Sequence, residues 1–171
     1  MDEEQIRLIE PMEELAAELL LMAREYQAAG DDRYEPALKD LPAYFRRLKN
    51  YAEGINLPPG HVRASTFWLV EGSRIIGRSS LRHQLTSELE HEGGHIGYDI
   101  RPSERRKGYG TLLLNLTLER ARGRGLRRVF LTCDADNPAS AKVIEKNGGK
   151  RCGQVTSHRS GKIISQYWIE L

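Results

Sequence analysis

Cysteine is scarce in this chain: Cys133 and Cys152 are the only two, too few for a disulfide framework. That excludes the small disulfide-stapled secreted domains and gives the expectation of reduced thiols in the cytoplasm. Long apolar runs are missing as well. No stretch reaches the roughly 18 residues that mark a membrane-spanning helix, so no membrane partner is expected. The opening Met1-Asp2-Glu3-Glu4 is acidic and lacks the basic and apolar regions of a secretion signal. There are no internal repeats and no low-complexity tracts. The basic residues of the central part have no aromatic platform among them, which speaks against nucleic acid as a partner.

What is present suits one ordinary globular domain spanning residues 1–171, since 39% hydrophobic residues suffice for a core. The net charge of +2 conceals a division. Residues 1–40 carry twelve acidic and four basic side chains, and the remainder carries twelve and twenty-two. Within 101–130, nine basic residues stand against Glu104 and Glu119 alone, a basic patch fit for a small polyanion.

Hydrophobic periodicity lays out the elements. Ile6 to Ile9 reads as a short strand. Met12 to Gln27 has apolar residues at helical spacing (Leu15, Leu19, Met22, Ala23), and a second helix is expected from Leu38 to Tyr51. Ser65 to Val70 and Arg74 to Leu81 flank Glu71-Gly72-Ser73 as a hairpin. Leu85 to Gly93 is a loop or a poor turn of helix. His95 to Arg101 is a strand stopped by Pro102, and a leucine-rich helix follows from about Tyr109 to Arg122. Arg128 to Cys133 is a central strand. Asn137-Pro138 begins another helix as N-cap and first-turn proline, ending at Gly148-Gly149. Two strands, near Arg151 to Val155 and Ile163 to Leu171, close the chain. The order βααβββαβαββ predicts an α/β fold with a mixed sheet and helices on both faces.

Arg105-Arg106-Lys107-Gly108-Tyr109-Gly110 joins a strand to a helix. Helix N-terminal amides and their dipole favour an anion, usually phosphate, and glycine lets the backbone approach it closely. In this setting Arg105-x-x-Gly108-x-Gly110 resembles the Gln/Arg-x-x-Gly-x-Gly/Ala motif of the GNAT superfamily of N-acetyltransferases. Asn137-Pro-Ala-Ser-Ala-Lys-Val-Ile-Glu-Lys-Asn-Gly148 resembles that family's Asn-initiated segment, and the element order is similar along nearly the whole chain. Gly94 to Pro102 and Tyr167-Trp168-Ile169 look like a bacterial branch of predicted acetyltransferases.

The resemblance implies transfer of an acetyl group from acetyl-CoA to a primary amine by direct attack, with no metal. Carried over by position, the backbone from Arg106 to Thr111 (Arg106, Lys107, Gly108, Tyr109, Gly110, Thr111) would hold the pyrophosphate. The side chains of Arg105, Arg106 and Lys107 would add positive charge. Ile100 would pair with the pantetheine arm and its N–H could polarise the thioester carbonyl. Asn137 would hydrogen-bond the pantetheine, with Ser140 close by; a plain N-cap is the bland reading of Asn137.

An ammonium must lose a proton before it attacks. His95 is the candidate base, with Glu92, His91, His83 and Asp99 as rivals and a structural histidine as the alternative. Strand parity puts His95, Gly97 and Asp99 on one face unless a bulge intervenes. Many family members place a tyrosine acid seven residues after the motif asparagine. Here that position is Ile144, so Tyr98 or Tyr167 would have to substitute, or the thiolate would leave unassisted. The missing acid keeps a non-catalytic acetyl-CoA sensor in view. His91-Glu92-Gly93-Gly94-His95 also matches the zinc-protease pattern His-Glu-x-x-His, but that chemistry needs a helix, which two glycines oppose. Residues 28–63 and 82–93 are expected to shape the acceptor site, with Arg82, His83 and Glu92 in contact. Their acidic side chains (Asp31, Asp32, Glu35, Asp40, Glu88, Glu90, Glu92) suggest a cationic small-molecule or peptide amine. The fold is compatible with a homodimer.

Overall fold

The computed structural model describes residues 5–171; the acidic opening at residues 1–4 lies outside them. Its elements follow in the order β1 (Ile6–Ile9), α1 (Ala16–Ala28), α2 (Glu35–Lys39), α3 (Leu41–Glu53), β2 (Ala64–Glu71), β3 (Arg74–Arg82), α4 (Ser87–His91), β4 (Ile96–Ile100), α5 (Tyr109–Gly123), β5 (Arg128–Asp134), α6 (Pro138–Lys146), β6 (Lys150–Thr156) and β7 (Ile163–Glu170). All seven expected strands and all four expected helices are present. Of the two further short helices, α2 is additional, and α4 is the poor turn of helix allowed for between Leu85 and Gly93. The helix expected from Leu38 begins instead at Leu41, because the Asp40 carboxylate accepts from the Ala43 N–H at 3.0 Å and caps it, leaving α2 as a separate turn. Thr86 caps α4 in the same way through Leu89 N–H.

The strands make two hydrogen-bonded sheets, ordered β1-β2-β3-β4 and β5-β7-β6, each paired antiparallel throughout. The mixed sheet expected from the sequence is thus split between β4 and β5. The halves are held at one end, where the His95 N–H donates to the Phe130 carbonyl at 2.7 Å.

Alternation along β2 distributes the core. Phe67 and Leu69 pack with Ile76, Leu113, Leu114 and Leu118 under α5, while Trp68 and Val70 pack with Leu19, Met22, Tyr26 and Tyr44 under α1 and α3. Helices therefore cover both faces, as the element order predicts. Leu113 and Leu114 are fully buried, which explains why the leucines of α5 run around most of the helix instead of forming one stripe.

Candidate active site

The turn before α5 has the geometry of an anion site. Arg106 and Gly108 take left-handed φ values of 62° and 85°, and Gly108 is the N-cap of α5 without any capping side chain. The first amides of the helix therefore lack a side-chain acceptor. A Cβ on Gly108 would meet nothing within 4 Å, so conformation rather than space requires glycine there. Gly110 differs: a Cβ would come within 3.3 Å of the Val143 side chain where α5 meets α6.

The flanking cations are not all free. Arg105 donates to the Ile100 carbonyl at 3.0 Å and lies over the Tyr26 ring, and Lys107 pairs with Glu104 at 2.9 Å. Of the three basic side chains expected to add charge for an anion, Arg106 alone has no partner among the described residues. Arg105 and Lys107 brace the turn. A buried anchor sets it in place. Arg101, 4% exposed, reaches the Glu18 and Glu25 carboxylates of α1 and the Ile75 carbonyl. Burial works against the Arg101 charge, but the two carboxylates outweigh it and raise its pKa.

β4 presents an open edge leading to this turn. It pairs with β3 in unbroken register, and the Arg101 N–H donates to the Ile76 carbonyl. Antiparallel strands turn alternate amides to opposite sides. Ile96, Tyr98 and Ile100 therefore aim their N–H groups away from β3, toward the gap before β5. Within β4 the expected alternation holds, with Tyr98 and Ile100 packed beneath α5 and α6 while Asp99 faces the other way and accepts from Tyr26 and Tyr34 at 2.6 and 2.7 Å; His95 lies before the strand.

Across the gap stands the start of α6. The Asn137 side-chain oxygen accepts from the Ser140 N–H at 3.1 Å, and Ser140 Oγ lies 2.8 Å from the Tyr98 hydroxyl. Burial pushes the Tyr98 pKa up to about 12, so the hydroxyl stays protonated at neutral pH. Tyr167 is only 2% exposed within the core, which leaves Tyr98 as the tyrosine at the open edge. Ile144 is fully buried.

His95 is committed elsewhere. Its Nδ1 accepts from the Phe130 N–H at 2.9 Å, which places the ring proton on Nε2. Burial, with Arg82 nearby, lowers its pKa. The neutral ring thus has no free lone pair to take a proton, and the candidate base is a bolt between β4 and β5. The rival His91 stacks on His158 at 3.9 Å and contacts the Thr156 carbonyl. Helix α4 stops at His91, and Gly93 and Gly94 have φ of 103° and 62°, so His91 and His95 share no helical face. Among the described residues no group of three or more His, Cys, Asp or Glu is arranged to hold a metal.

A cavity of about 670 Å³ lies on the α3 side of the sheet, between β2, β3, α3, α4 and Arg159. Arg78, Ser80 and Arg82 of β3 line it, and Ser80 sits opposite Gly97 of β4. Gly97 is exposed, and a Cβ there would meet nothing within 4 Å, so the strand beside the cavity is uncovered. Of the three residues expected to contact an acceptor, Arg82 lines this cavity and His83 and Glu92 do not. The His83 ring bonds Ser65, and burial together with Arg124 and Arg63 brings its pKa down to about 4. Glu92 is buried beside Ser157 and Arg159, which hold its carboxyl below the usual range.

The chain matches the acetyltransferase (GNAT) domain family over residues 7–150. It belongs to the GNAT acetyltransferase family. None of the curated proteins compared with it matches in sequence. Solved GNAT folds resemble it throughout. An acetyltransferase of Salmonella typhimurium that modifies the N-terminal serine of a 50S ribosomal subunit protein has a TM-score of 0.71 at 15% identity, covering 97% of this chain and 95% of that one. RimJ of Mycobacterium smegmatis, in complex with CoA-disulfide, has a TM-score of 0.75 at 17% identity, covering 96% and 81%. The microcin self-immunity acetyltransferase MccE, in complex with acetyl-CoA and AMP, has 0.72 at 18% identity, covering 100% and 94%. As a GNAT enzyme the chain is an acetyl-CoA-dependent N-acetyltransferase.

For this GNAT chain, sequence reasoning missed Arg78, Arg101 and the role of Gly97. One signal was legible: Arg78, Ser80 and Arg82 alternate along β3 and so share a face. Nothing in the sequence pairs Arg101 with Glu18 and Glu25, which are more than seventy residues away.

Proposed function

We propose that acetyl-CoA lies along the open edge of β4, its pyrophosphate on the amides of Arg106 to Thr111. A primary amine in the Arg78–Arg82 cavity would then attack the thioester directly. The observation that carries this reading is the continuity of the unpaired Tyr98 and Ile100 amides with the uncapped start of α5. The Ile100 N–H is the donor closest to that turn, and Asn137 and Ser140 face the same gap from α6.

The chemistry divides among the chain's own groups. The acceptor nitrogen bonds to the thioester carbonyl carbon, the C–S bond breaks, and CoA leaves as thiolate. Tyr98 gives that thiolate a proton and recovers one through Ser140, replacing the tyrosine that Ile144 displaces. No side chain is assigned as base: the His95 Nδ1 accepts from the Phe130 N–H, Asp99 accepts from Tyr26 and Tyr34, and His91 stacks on His158 outside the cavity lining. The guanidinium groups of Arg78 and Arg82 disfavour an ammonium beside them, which lowers the acceptor's pKa. The ammonium proton leaves to solvent through the open cavity before attack, and the nitrogen loses a second proton to solvent as the amide forms. Turnover should therefore rise with pH up to the lowered pKa of the bound acceptor amine.

Residues 1–171 act here as a single catalytic domain, and the two unpaired thiols suit a cytoplasmic setting. No described helix is long and apolar enough to cross a membrane. Calorimetry with acetyl-CoA, followed by an amine screen reading released thiol, tests the whole reading. Absence of acetyl-CoA binding overturns it. Binding without turnover over a broad amine panel would instead favour the sensor role.

A further inference from the structure

The acceptor cavity has the wrong charge for the cationic amine that the acidic flanking loops suggest. Most of those acidic side chains are spent elsewhere. Asp31 pairs with Arg33, Glu35 with Lys39, and Asp40 caps α3. Glu92 faces Arg159 at 3.7 Å, and Asp32 and Glu90 are exposed away from the cavity lining. Only Glu88 reaches the cavity, and it contacts His158. Against it stand Arg47, Arg78, Arg82 and Arg159.

The two inner arginines are set by β3 and are incompletely satisfied. Arg78 Nε is buried without a hydrogen-bond partner, and no carboxylate among the described residues lies within 4 Å of that guanidinium. The nearby Asp99 is occupied by Tyr26 and Tyr34. Arg82 uses one nitrogen on the Gly93 and Gly94 carbonyls at 3.3 and 2.9 Å, leaving the rest of its fork free. A planar guanidinium without a direct carboxylate partner is best matched by a carboxylate or phosphate.

We propose that the acceptor is an amine that also carries an anionic group. A carboxylate or phosphate seats on Arg78 and Arg82, with Arg47 and Arg159 at the rim, and the amine lies by Gly97 at the uncovered edge of β4. This rests on the acetyl-transfer reading and specifies its substrate class. The anion offsets the arginine charge, while the same arginines still disfavour an ammonium over the neutral amine.

The test compares matched acceptors: aminoethyl phosphate against ethanolamine, and an Asp-initiated tripeptide against its Asn counterpart. The expected kcat/KM is at least about tenfold higher for the anionic member of a pair, and it falls as salt rises from about 0.05 to about 0.5 M. Preference in either pair supports the proposal, and the pair with the larger value tells a small metabolite from a peptide terminus. Arg78→Gln and Arg82→Gln should raise KM for the anionic acceptor at least about tenfold, with acetyl-CoA affinity unchanged. Arg159→Gln on the exposed rim gives a smaller effect in the same direction and avoids any folding defect of the inner variants. Equal kcat/KM within both pairs, or a preference that survives all three substitutions, overturns the proposal. Failure to bind acetyl-CoA would instead remove the transfer reading beneath it.

Discussion

His95→Ala separates a structural from a catalytic histidine. The substitution keeps the backbone bond from residue 95 to the Phe130 carbonyl but removes the Nδ1 acceptor from the Phe130 N–H. A buried donor left unpaired costs about 1–3 kcal/mol. The side chain is only 7% exposed, so removing the ring also leaves a cavity, and the total should be about 2–4 kcal/mol. For a domain of this size each kcal/mol moves Tm by about 2–4 °C, which predicts a fall of about 5–15 °C. Turnover measured well below that Tm should change by less than about threefold, with the shape of its pH profile retained. Loss of a general base would instead cost about 10²–10⁴-fold. Circular dichroism melts and thiol-release kinetics on the same preparation read both quantities. A normal Tm with turnover lowered more than about 100-fold would refute the bolt and restore His95 as the base. His95→Asn, whose side-chain oxygen can still accept from Phe130, should recover part of the lost stability.

Other outcomes are expected. Gly94→Ala would place a Cβ 2.2 Å from the Phe130 carbonyl oxygen at a left-handed φ of 62°, so it should destabilise by more than about 2 kcal/mol in urea melts; a neutral result would mean the β4–β5 junction is looser than described. Gly108→Ala meets no neighbour and should cost only about 1–2 kcal/mol of strain, yet weaken acetyl-CoA binding in calorimetry; unchanged affinity would remove this turn from the cofactor track. Tyr98→Phe and Ser140→Ala should each lower kcat about 10–100-fold, and equal activity of the wild type and both variants would show that the thiolate leaves unassisted. The neutral imidazoles of His83 and His95 are favoured in the folded protein, so the stability they carry is complete above about pH 6.5. It is lost as pH falls, for His83 toward about 4, and His83→Gln should flatten the dependence of Tm on pH in that window.

The elements were legible because their signals are local. Asn137-Pro138 announces α6, and the alternation in β2 and β3 survives burial on both faces. The break at Asp40 was not legible as a helix boundary, since Leu38 to Tyr51 keeps its apolar spacing across it. The split sheet was also hidden, because pairing between distant strands leaves no periodic mark on either one. The proposed donor half of the site could be read from Arg105 to Gly110 because a turn and a helix start lie within one short segment. The acceptor half could not. The acidic loops predicted a cationic acceptor, and only their packing shows that Asp31, Glu35 and Asp40 are consumed by neighbours.

The sequence alone determined the turn that suits a pyrophosphate, the helices that flank it and the absence of a tyrosine at Ile144, all of which depend on residues close along the chain. Tertiary structure alone decided that His95 bolts β4 to β5, that Tyr98 meets Ser140, and that Arg78 and Arg82 share a cavity with little opposing charge. Those facts depend on which groups remain unpaired after folding, and pairing is a property of neighbours in space, not of spacing along the chain.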